Sequence, residues 1–136
     1  MKIYLSGGIK NTSIEYQNWR KKCLSFKNNG LYENLEFINP ISYFNYTDKL
    51  PKTNKQCLDY FMWQVRQCNI LLINLDCSNS SCGSAMEVEH AFCHNIPIIG
   101  FGEKPDTWYN WIETRCTAIF DDVTEAVDCI SYYYGG

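Results

Sequence analysis

The sequence contains no long hydrophobic run, no closely spaced cysteine pair and no excess of positive charge. No apolar stretch reaches the length of roughly 20 residues that a membrane-spanning helix needs, so we expect no membrane partner. The formal net charge of −3 argues against a nucleic-acid polymer as partner, because such proteins normally carry a basic face. A small nucleotide is still allowed, since one or two local donors can hold one phosphate. The chain runs directly into a strand pattern with no room for a signal peptide, and we expect a cytoplasmic protein.

Eight cysteines are many for 136 residues, but none of them forms a C-x-x-C pair. We interpret them as reduced thiols that pack as small hydrophobic side chains, in preference to a disulfide scaffold or a zinc site. His90 and His94, with Cys93 between them, have a spacing that can hold a metal. No third or fourth ligand lies at a spacing typical of a metal site. We therefore predict no metal and no cofactor, and we interpret the histidines as surface or interface residues.

Strand and helix patterns alternate along the chain. Strands are predicted at residues 2–6, 35–38, 70–75, 96–101 and 118–120. Helices are predicted at residues 14–28, 54–67, 83–94, 108–114 and 123–133. Nearly all of the third strand is apolar, as a central parallel strand covered on both faces must be. The alternation predicts one α/β domain over residues 1–136, with helices on both faces of an open, five-stranded parallel sheet.

Residues 42–55 show no clean period and contain turn-forming residues, so we predict a loop or lid. Tyr43, Phe44 and Tyr46 recur there. They are open to two interpretations, a cover for a flat ligand or a hydrophobic cluster under a loop.

Ligands of such sheets bind outside the carboxyl ends of the strands, which nominates residues 6–13, 76–83 and 102–111. The first of these loops carries Gly7, Gly8 and Lys10 before a helix. Free backbone N–H groups at a helix N-terminus suit an anion, and a lysine would add a positive charge. The same residues also fit a tight turn made by two glycines.

The second loop leads into the helix that carries Glu87 and Glu89. Ser81 or Gly83 can begin this helix, and Glu87 then lies about one turn inside it, at the same end of the sheet as the first loop. Glu89 lies about 200° further round the helix axis, and we interpret it as a solvated surface residue. On spacing alone, Glu87 is open to the same interpretation.

Residues 81–87 (SCGSAME) follow the apolar strand and Asp76, and precede residues 94–100 (HNIPIIG). This string resembles the nucleoside 2-deoxyribosyltransferase family, whose pattern is an apolar strand, then D/S-x-G-[TS]-x-x-E on a helix. Residues 3–8 (IYLSGG) resemble the family's opening strand and loop. The resemblance spans most of the chain and implies a flavodoxin-like, three-layer sandwich.

The resemblance also implies a chemistry. Glu87 would attack the anomeric carbon and expel the base, and another base or water would then take the sugar from the covalent glycosyl-enzyme. Tyr4 matches the family's tyrosine near the nucleophile. Ser81 matches a serine with which the related nucleoside 5′-monophosphate N-glycosidases contact phosphate, and Lys10 lies near the position of their arginine. These two residues favour a nucleoside 5′-monophosphate over a free nucleoside.

One position departs from the family's pattern. Phe61 stands where the family has an aspartate, on the helix before the third strand. Asp59 is two residues away, about 200° round the helix. A small shift of the helix would restore Asp59, or Asp76 would serve instead; otherwise the leaving base lacks its usual acid. The predicted catalytic residues are Glu87, Tyr4, Asp59 and Asp76.

Tyr109 and Asn110 lie where the family's third loop reaches into a neighbouring subunit's site, which implies a homo-oligomer with shared sites. Stacking of a base on an aromatic ring is worth about 1–3 kcal/mol. A hydrophobic dimer contact is the other interpretation, and the two are compatible. The predicted substrate-binding residues are Gly7, Gly8, Lys10, Ser81, Gly83, Tyr109 and Asn110.

The sequence thus predicts an enzyme that cleaves the N-glycosidic bond of a 2′-deoxynucleoside or its 5′-monophosphate. The alternative is a non-catalytic nucleotide-binding or sequestering module on the same fold. A redox or metal protein built on the cysteines and histidines is a third interpretation.

Overall fold

The computed structural model describes residues 1–8, 14–43, 53–76, 82–103 and 111–135. The strands are β1 (Lys2–Ser6), β2 (Glu36–Ile38), β3 (Ile70–Asn74), β4 (Ile98–Phe101) and β5 (Ala118–Phe120). The helices are α1 (Ile14–Phe26), α2 (Pro40–Tyr43), α3 (Asn54–Arg66), α4 (Cys82–Cys93), α5 (Trp111–Arg115) and α6 (Val123–Tyr134), and Gly30–Tyr32 forms a 3-10 helix.

Five strands and five helices were predicted, and all ten are found, with ends that differ by up to two residues within the described ranges. Residues 108–110 of the predicted fourth helix lie outside them. The 3-10 helix and α2 were not predicted, because each is too short to show a hydrophobic period. The prediction of a loop from residue 42 was wrong for Ser42 and Tyr43, which belong to α2. Phe44 and Tyr46 lie outside the described residues.

All four strand pairings in the described sheet are parallel, and the strand order is β2-β1-β3-β4-β5. The predicted α/β fold with a five-stranded parallel sheet is therefore confirmed. The chain winds outward in one direction from β1 to β2 and in the other from β3 to β5. The strand order reverses between β1 and β3, and folds of this kind bind ligands outside the carboxyl ends of the strands at such a point.

Alternate side chains of β1 enter two different cores. Ile3 and Leu5 belong to the core between the sheet and the helices α1 and α6. Tyr4 belongs to the core on the opposite face, with Val65 of α3 and Val88 of α4. Since side chains two apart on a strand point the same way, Ser6 faces the same side as Tyr4. This side is the one that α4 covers.

Side-chain caps fix where two of the helices begin. The Asp122 carboxylate accepts hydrogen bonds from the backbone N–H groups of Thr124 (2.7 Å) and Glu125 (3.0 Å) at the start of α6. The Thr53 hydroxyl accepts one from Gln56 (3.1 Å) at the start of α3. Each cap stabilises its helix by about 1 kcal/mol.

The seven cysteines within the described ranges are all free thiols. Burial raises the pKa of Cys23 and of Cys68 to about 12, so these two stay protonated and act as small packing groups. Within the described ranges, no helix has the length and apolar character needed to cross a membrane. The single domain and the cytoplasmic location remain predictions.

Candidate active site

Glu87 is a buried carboxylate that faces the end of β1. It lies on α4 between Met86, which is exposed, and Val88, which belongs to the core, and only 9% of Glu87 is exposed. The Ser6 hydroxyl, at the last position of β1, donates a hydrogen bond of 3.2 Å to Oε1 of Glu87. The carboxylate therefore lies at the carboxyl edge of the sheet, beside the turn that follows β1.

Tyr4 lies two residues before Ser6 on the same face of β1. Its hydroxyl is buried and makes no hydrogen bond of ordinary geometry within the described residues. It is nonetheless near enough to Glu87 for the two groups to affect each other. Burial first, and then the charge of Glu87, raises the pKa of Tyr4, so its hydroxyl keeps its proton beside the carboxylate.

Burial raises the pKa of Glu87 to about 7. The hydroxyls of Tyr4 and Ser6 act in the opposite direction, and so does the positive charge of Arg20, because all three favour the ionised form. The result is a carboxylate that is weakly solvated and about half ionised near neutral pH. A group of this kind can act as a nucleophile without first shedding a water shell.

A side chain at Gly7 would be tightly placed against the protein atoms around the turn after β1. A Cβ there would lie 3.3 Å from Cζ2 of Trp19, 3.4 Å from Nη2 of Arg20 and 3.4 Å from Cβ of Asn74. The Gly7 carbonyl accepts a hydrogen bond of 3.0 Å from Nη2 of Arg20. Gly8, the next residue, is also buried.

Sequence reasoning missed Arg20. A charged residue within a helix is normally interpreted as solvent-exposed. The signal that could have found it is its spacing, because Arg20 lies three residues before Cys23 and next to Trp19, on the apolar side of the helix. Both neighbours are buried.

Asp76, just after β3, connects the ends of two strands. Its backbone N–H donates to Oδ1 of Asn74 (3.0 Å), and its own Oδ1 accepts from the backbone N–H of Glu103 (2.6 Å) after β4. Gly102 between these strand ends has a φ of +103°, and a Cβ there would lie 2.8 Å from the Asp76 carboxyl group. Asp76 is exposed at the carboxyl edge of the sheet, and these hydrogen bonds join it to the ends of β3 and β4, not to Glu87.

Asp59 lies on the surface of α3, in an ion pair with Lys55 one turn earlier. Its side chain is 60% exposed. Phe61 is half-buried, and its ring centroid lies 5.9 Å from that of Tyr60. The described contacts therefore do not bring Asp59 to Glu87, and its catalytic role stays a prediction.

The remaining predicted site residues divide into two groups. Gly83 lies in the first turn of α4 and is exposed. Four others, Lys10, Ser81, Tyr109 and Asn110, lie outside the described residues, and their roles stay predictions. Trp111, which follows Asn110, is the exposed first residue of α5.

His90 lies in the last turn of α4 and His94 directly follows this helix, away from the carboxyl edge of the sheet. Nη1 of Arg66 donates to Nε2 of His90 at 2.9 Å, because an arginine has no acceptor. Burial, His94 and Arg66 together lower the pKa of His90. Within the part of the chain that the structure describes, no three His, Cys, Asp or Glu side chains cluster in a way that could hold a metal ion.

Solved structures share this fold. A 2-deoxyribosyltransferase from the psychrotolerant bacterium Bacillus psychrosaccharolyticus has a TM-score of 0.72 and 16% identity, over 99% of this chain and 94% of that one. A conserved protein from Enterococcus faecalis V583 has a TM-score of 0.63 and 16% identity, over 97% and 87%. A CMP N-glycosidase from Clostridium botulinum has a TM-score of 0.57 and 14% identity, over 98% and 100%.

No protein-family model and no curated protein sequence matches the chain. At the identities of these three structures, the likeness establishes the fold. The flavodoxin-like architecture that the resemblance implied is thus confirmed, over nearly the whole length of the chain.

Proposed function

We propose that this protein cleaves the N-glycosidic bond of a nucleoside or nucleotide and that Glu87 is the nucleophile. One observation carries the proposal. A buried carboxylate, held by the Ser6 hydroxyl, lies at the edge of the sheet where the strand order reverses. The shared fold with a 2-deoxyribosyltransferase and a CMP N-glycosidase supports the same assignment.

In the proposed reaction, an oxygen of ionised Glu87 forms a bond to the anomeric carbon of the sugar. The bond between that carbon and the base nitrogen breaks, and the base leaves with the electron pair and takes up a proton. Water or a second base then attacks the same carbon and releases Glu87, as in a retaining glycosidase. Ser6 and Tyr4 would orient the attacking carboxylate with their hydroxyls.

The proton for the leaving base needs a donor. Asp76 is our candidate, because it is exposed at the same edge of the sheet and is fixed by the backbone after β4. Asp59 stays a second candidate that would require a change from its surface ion pair with Lys55.

We propose a 2′-deoxynucleoside or its 5′-monophosphate as substrate, with the phosphate near the turn after β1. Gly7 and Gly8 have no side chains, which permits close approach of a ligand to the backbone of this turn. Lys10 and Ser81 would contact the phosphate. Tyr109 and Asn110 of a neighbouring subunit would complete the site in a homo-oligomer.

The test is incubation of the purified protein with a panel of deoxynucleosides and their 5′-monophosphates, with free base measured by chromatography. We expect base release by the wild type and none above background by Glu87→Ala. Addition of a second free base distinguishes transfer from hydrolysis, because only transfer gives a new nucleoside. Equal product from wild type and Glu87→Ala would refute the proposal.

The surface position of Asp59, together with Phe61 at the expected acid position, favours a second candidate. This is a module that binds or sequesters a nucleotide without cleaving it. Calorimetric binding of a deoxynucleotide that is recovered intact after prolonged incubation would support this candidate, and rapid base release would exclude it.

A further inference from the structure

Arg20 is a buried cation on α1 that the proposed chemistry does not yet use. Only 1% of the residue is exposed. Its Nη2 donates to the Gly7 carbonyl at 3.0 Å, and its guanidinium carbon lies 4.6 Å from the centre of the Trp19 ring. Removal of a guanidinium from water costs several kcal/mol unless other interactions offset it, so a buried arginine calls for a specific partner.

The hydrogen bond to Gly7 connects Arg20 to the nucleophile through a short path. Gly7 directly follows Ser6 in the chain, and the Ser6 hydroxyl donates to Glu87. Arg20 therefore fixes the backbone immediately after the residue that holds the carboxylate. Trp19 lies against the same turn, because its Cζ2 is 3.3 Å from the position of a Cβ at Gly7, and its ring packs edge-on against Phe101 of β4, with ring centroids 5.2 Å apart.

The charge of Arg20 also acts on this site directly. Within the described residues, the charged and titratable groups that act on Glu87 are Tyr4 from β1 and Arg20 from α1, together with the neutral hydroxyl of Ser6. Arg20 is the cation among them, and it lowers the pKa of both Glu87 and Tyr4. It thus opposes the effect of burial on the carboxylate.

We propose that Arg20 is a positioning residue. It fixes the turn at Ser6 and Gly7 through its hydrogen bond to the Gly7 carbonyl and stabilises the ionised form of Glu87. It does so without contacting the substrate. Its role in the reaction rests on the proposed function, but its action on Glu87 can be measured without turnover.

The first experiment uses the wild-type protein. NMR with carbon-13 in the glutamate side chains and nitrogen-15 in the arginines follows both groups in one pH titration. The Glu87 signal is assigned by its loss in Glu87→Gln. We expect an inflection of the Arg20 guanidinium signal at the same pH as the Glu87 midpoint. An Arg20 signal with no inflection there would overturn the proposal, whether or not any Arg20 variant folds.

The second experiment compares three variants. Arg20→Met removes the charge, Arg20→Lys keeps it, and Lys22→Met removes an exposed charge from the same helix as a control. We expect the Glu87 midpoint to rise by about one pH unit in Arg20→Met. It should stay close to the wild-type value in Arg20→Lys and Lys22→Met.

The reaction gives an independent readout. In Arg20→Met, the acid limb of kcat/KM should shift to higher pH by the same amount as the Glu87 midpoint. In Arg20→Lys, the acid limb should lie at the wild-type pH. A lower Tm in Arg20→Met with an unchanged midpoint would show a merely structural role and overturn the proposal. If the midpoint rises but even the wild type releases no base, the proposed function fails while the action of Arg20 on Glu87 stands.

Discussion

Glu87 and Glu89 lie two residues apart on α4 and have very different surroundings. Glu87 is buried, with Ser6 as a hydrogen-bond donor. Glu89 has a side chain that is 52% exposed, and its two oxygens accept from Nε (2.8 Å) and Nη2 (3.1 Å) of Arg115 on α5. The helical rotation of about 200° between them separates a buried carboxylate that faces the end of β1 from a carboxylate in a surface ion pair. Burial and hydrogen-bond partners, not the residue type, therefore distinguish the carboxylate that we propose as nucleophile from the surface carboxylate.

The largest expected difference between the two glutamates is in catalysis. Glu87→Gln keeps the shape of the side chain but removes the nucleophile, so kcat should fall by about a thousandfold or more. Glu89→Gln should change kcat less than about threefold, because a surface ion pair contributes only about 0–1 kcal/mol. Steady-state base release measures both, and equal losses would break the comparison.

The next effect is on stability and has a definite sign. Burial raises the folded-state pKa of Glu87 to about 7 from 4.5, so ionisation of Glu87 opposes folding. This contribution to stability is fully present below pH 4.5 and is lost as the pH rises through about 7. The wild type loses this contribution as the pH rises, and Glu87→Gln does not. The free energy of unfolding of Glu87→Gln relative to the wild type should therefore increase by on the order of 3 kcal/mol from acid pH to pH 8.

Urea unfolding of both variants at pH 5 and pH 8 tests this expectation. Glu89→Gln is the control and should follow the wild type within about 1 kcal/mol at both values. If the difference in free energy of unfolding between Glu87→Gln and the wild type were the same at the two pH values, ionisation of Glu87 in the wild type would not lower its stability.

The third effect is the pH dependence of activity. The attacking Glu87 must be ionised, and its pKa is about 7, so kcat/KM should fall about tenfold per pH unit below that value. The same profile recorded for Glu89→Gln should have its acid limb at the same pH. If Glu89→Gln shifted the acid limb of kcat/KM, the titrating carboxylate would be Glu89 and not Glu87, which would contradict this expectation.

The smallest effect concerns the hydroxyl that faces Glu87. Tyr4→Phe removes a protonated donor beside the carboxylate without changing the ring that packs in the core. We expect a loss in kcat of about tenfold and an acid limb at higher pH, since the hydroxyl favours ionised Glu87. Tyr60→Phe, an exposed tyrosine on α3, is the matched control and should leave both unchanged.

Spacing alone did not show that Glu87 is the buried one of the two glutamates, but their different directions could be predicted from sequence because helical rotation is a local property. The five strands could be predicted for the same reason, since each has an apolar run of its own. Helical rotation also predicts that Asp59 lies about 200° round the helix from Phe61, the position where the acid was expected. In the structure, Asp59 forms a surface ion pair.

What could not be predicted depends on contacts that are distant in the chain. Ser6 and Glu87 are 81 residues apart, and no local pattern shows that the serine hydroxyl reaches the carboxylate. Arg20 was missed because its burial results from the packing of α1 against the turn at Gly7. The short helix α2 was missed because four residues cannot show a period.

Trapping of the covalent intermediate tests the central claim most directly. A 2′-fluorinated nucleoside would slow release of the sugar, because fluorine destabilises the positive charge that develops at the neighbouring carbon. Intact mass spectrometry and peptide mapping then locate the sugar. The account predicts one added sugar per chain, on Glu87 and absent from Glu87→Gln. Base release with the sugar attached to another residue, or with no adduct formed under any trapping condition, would contradict it.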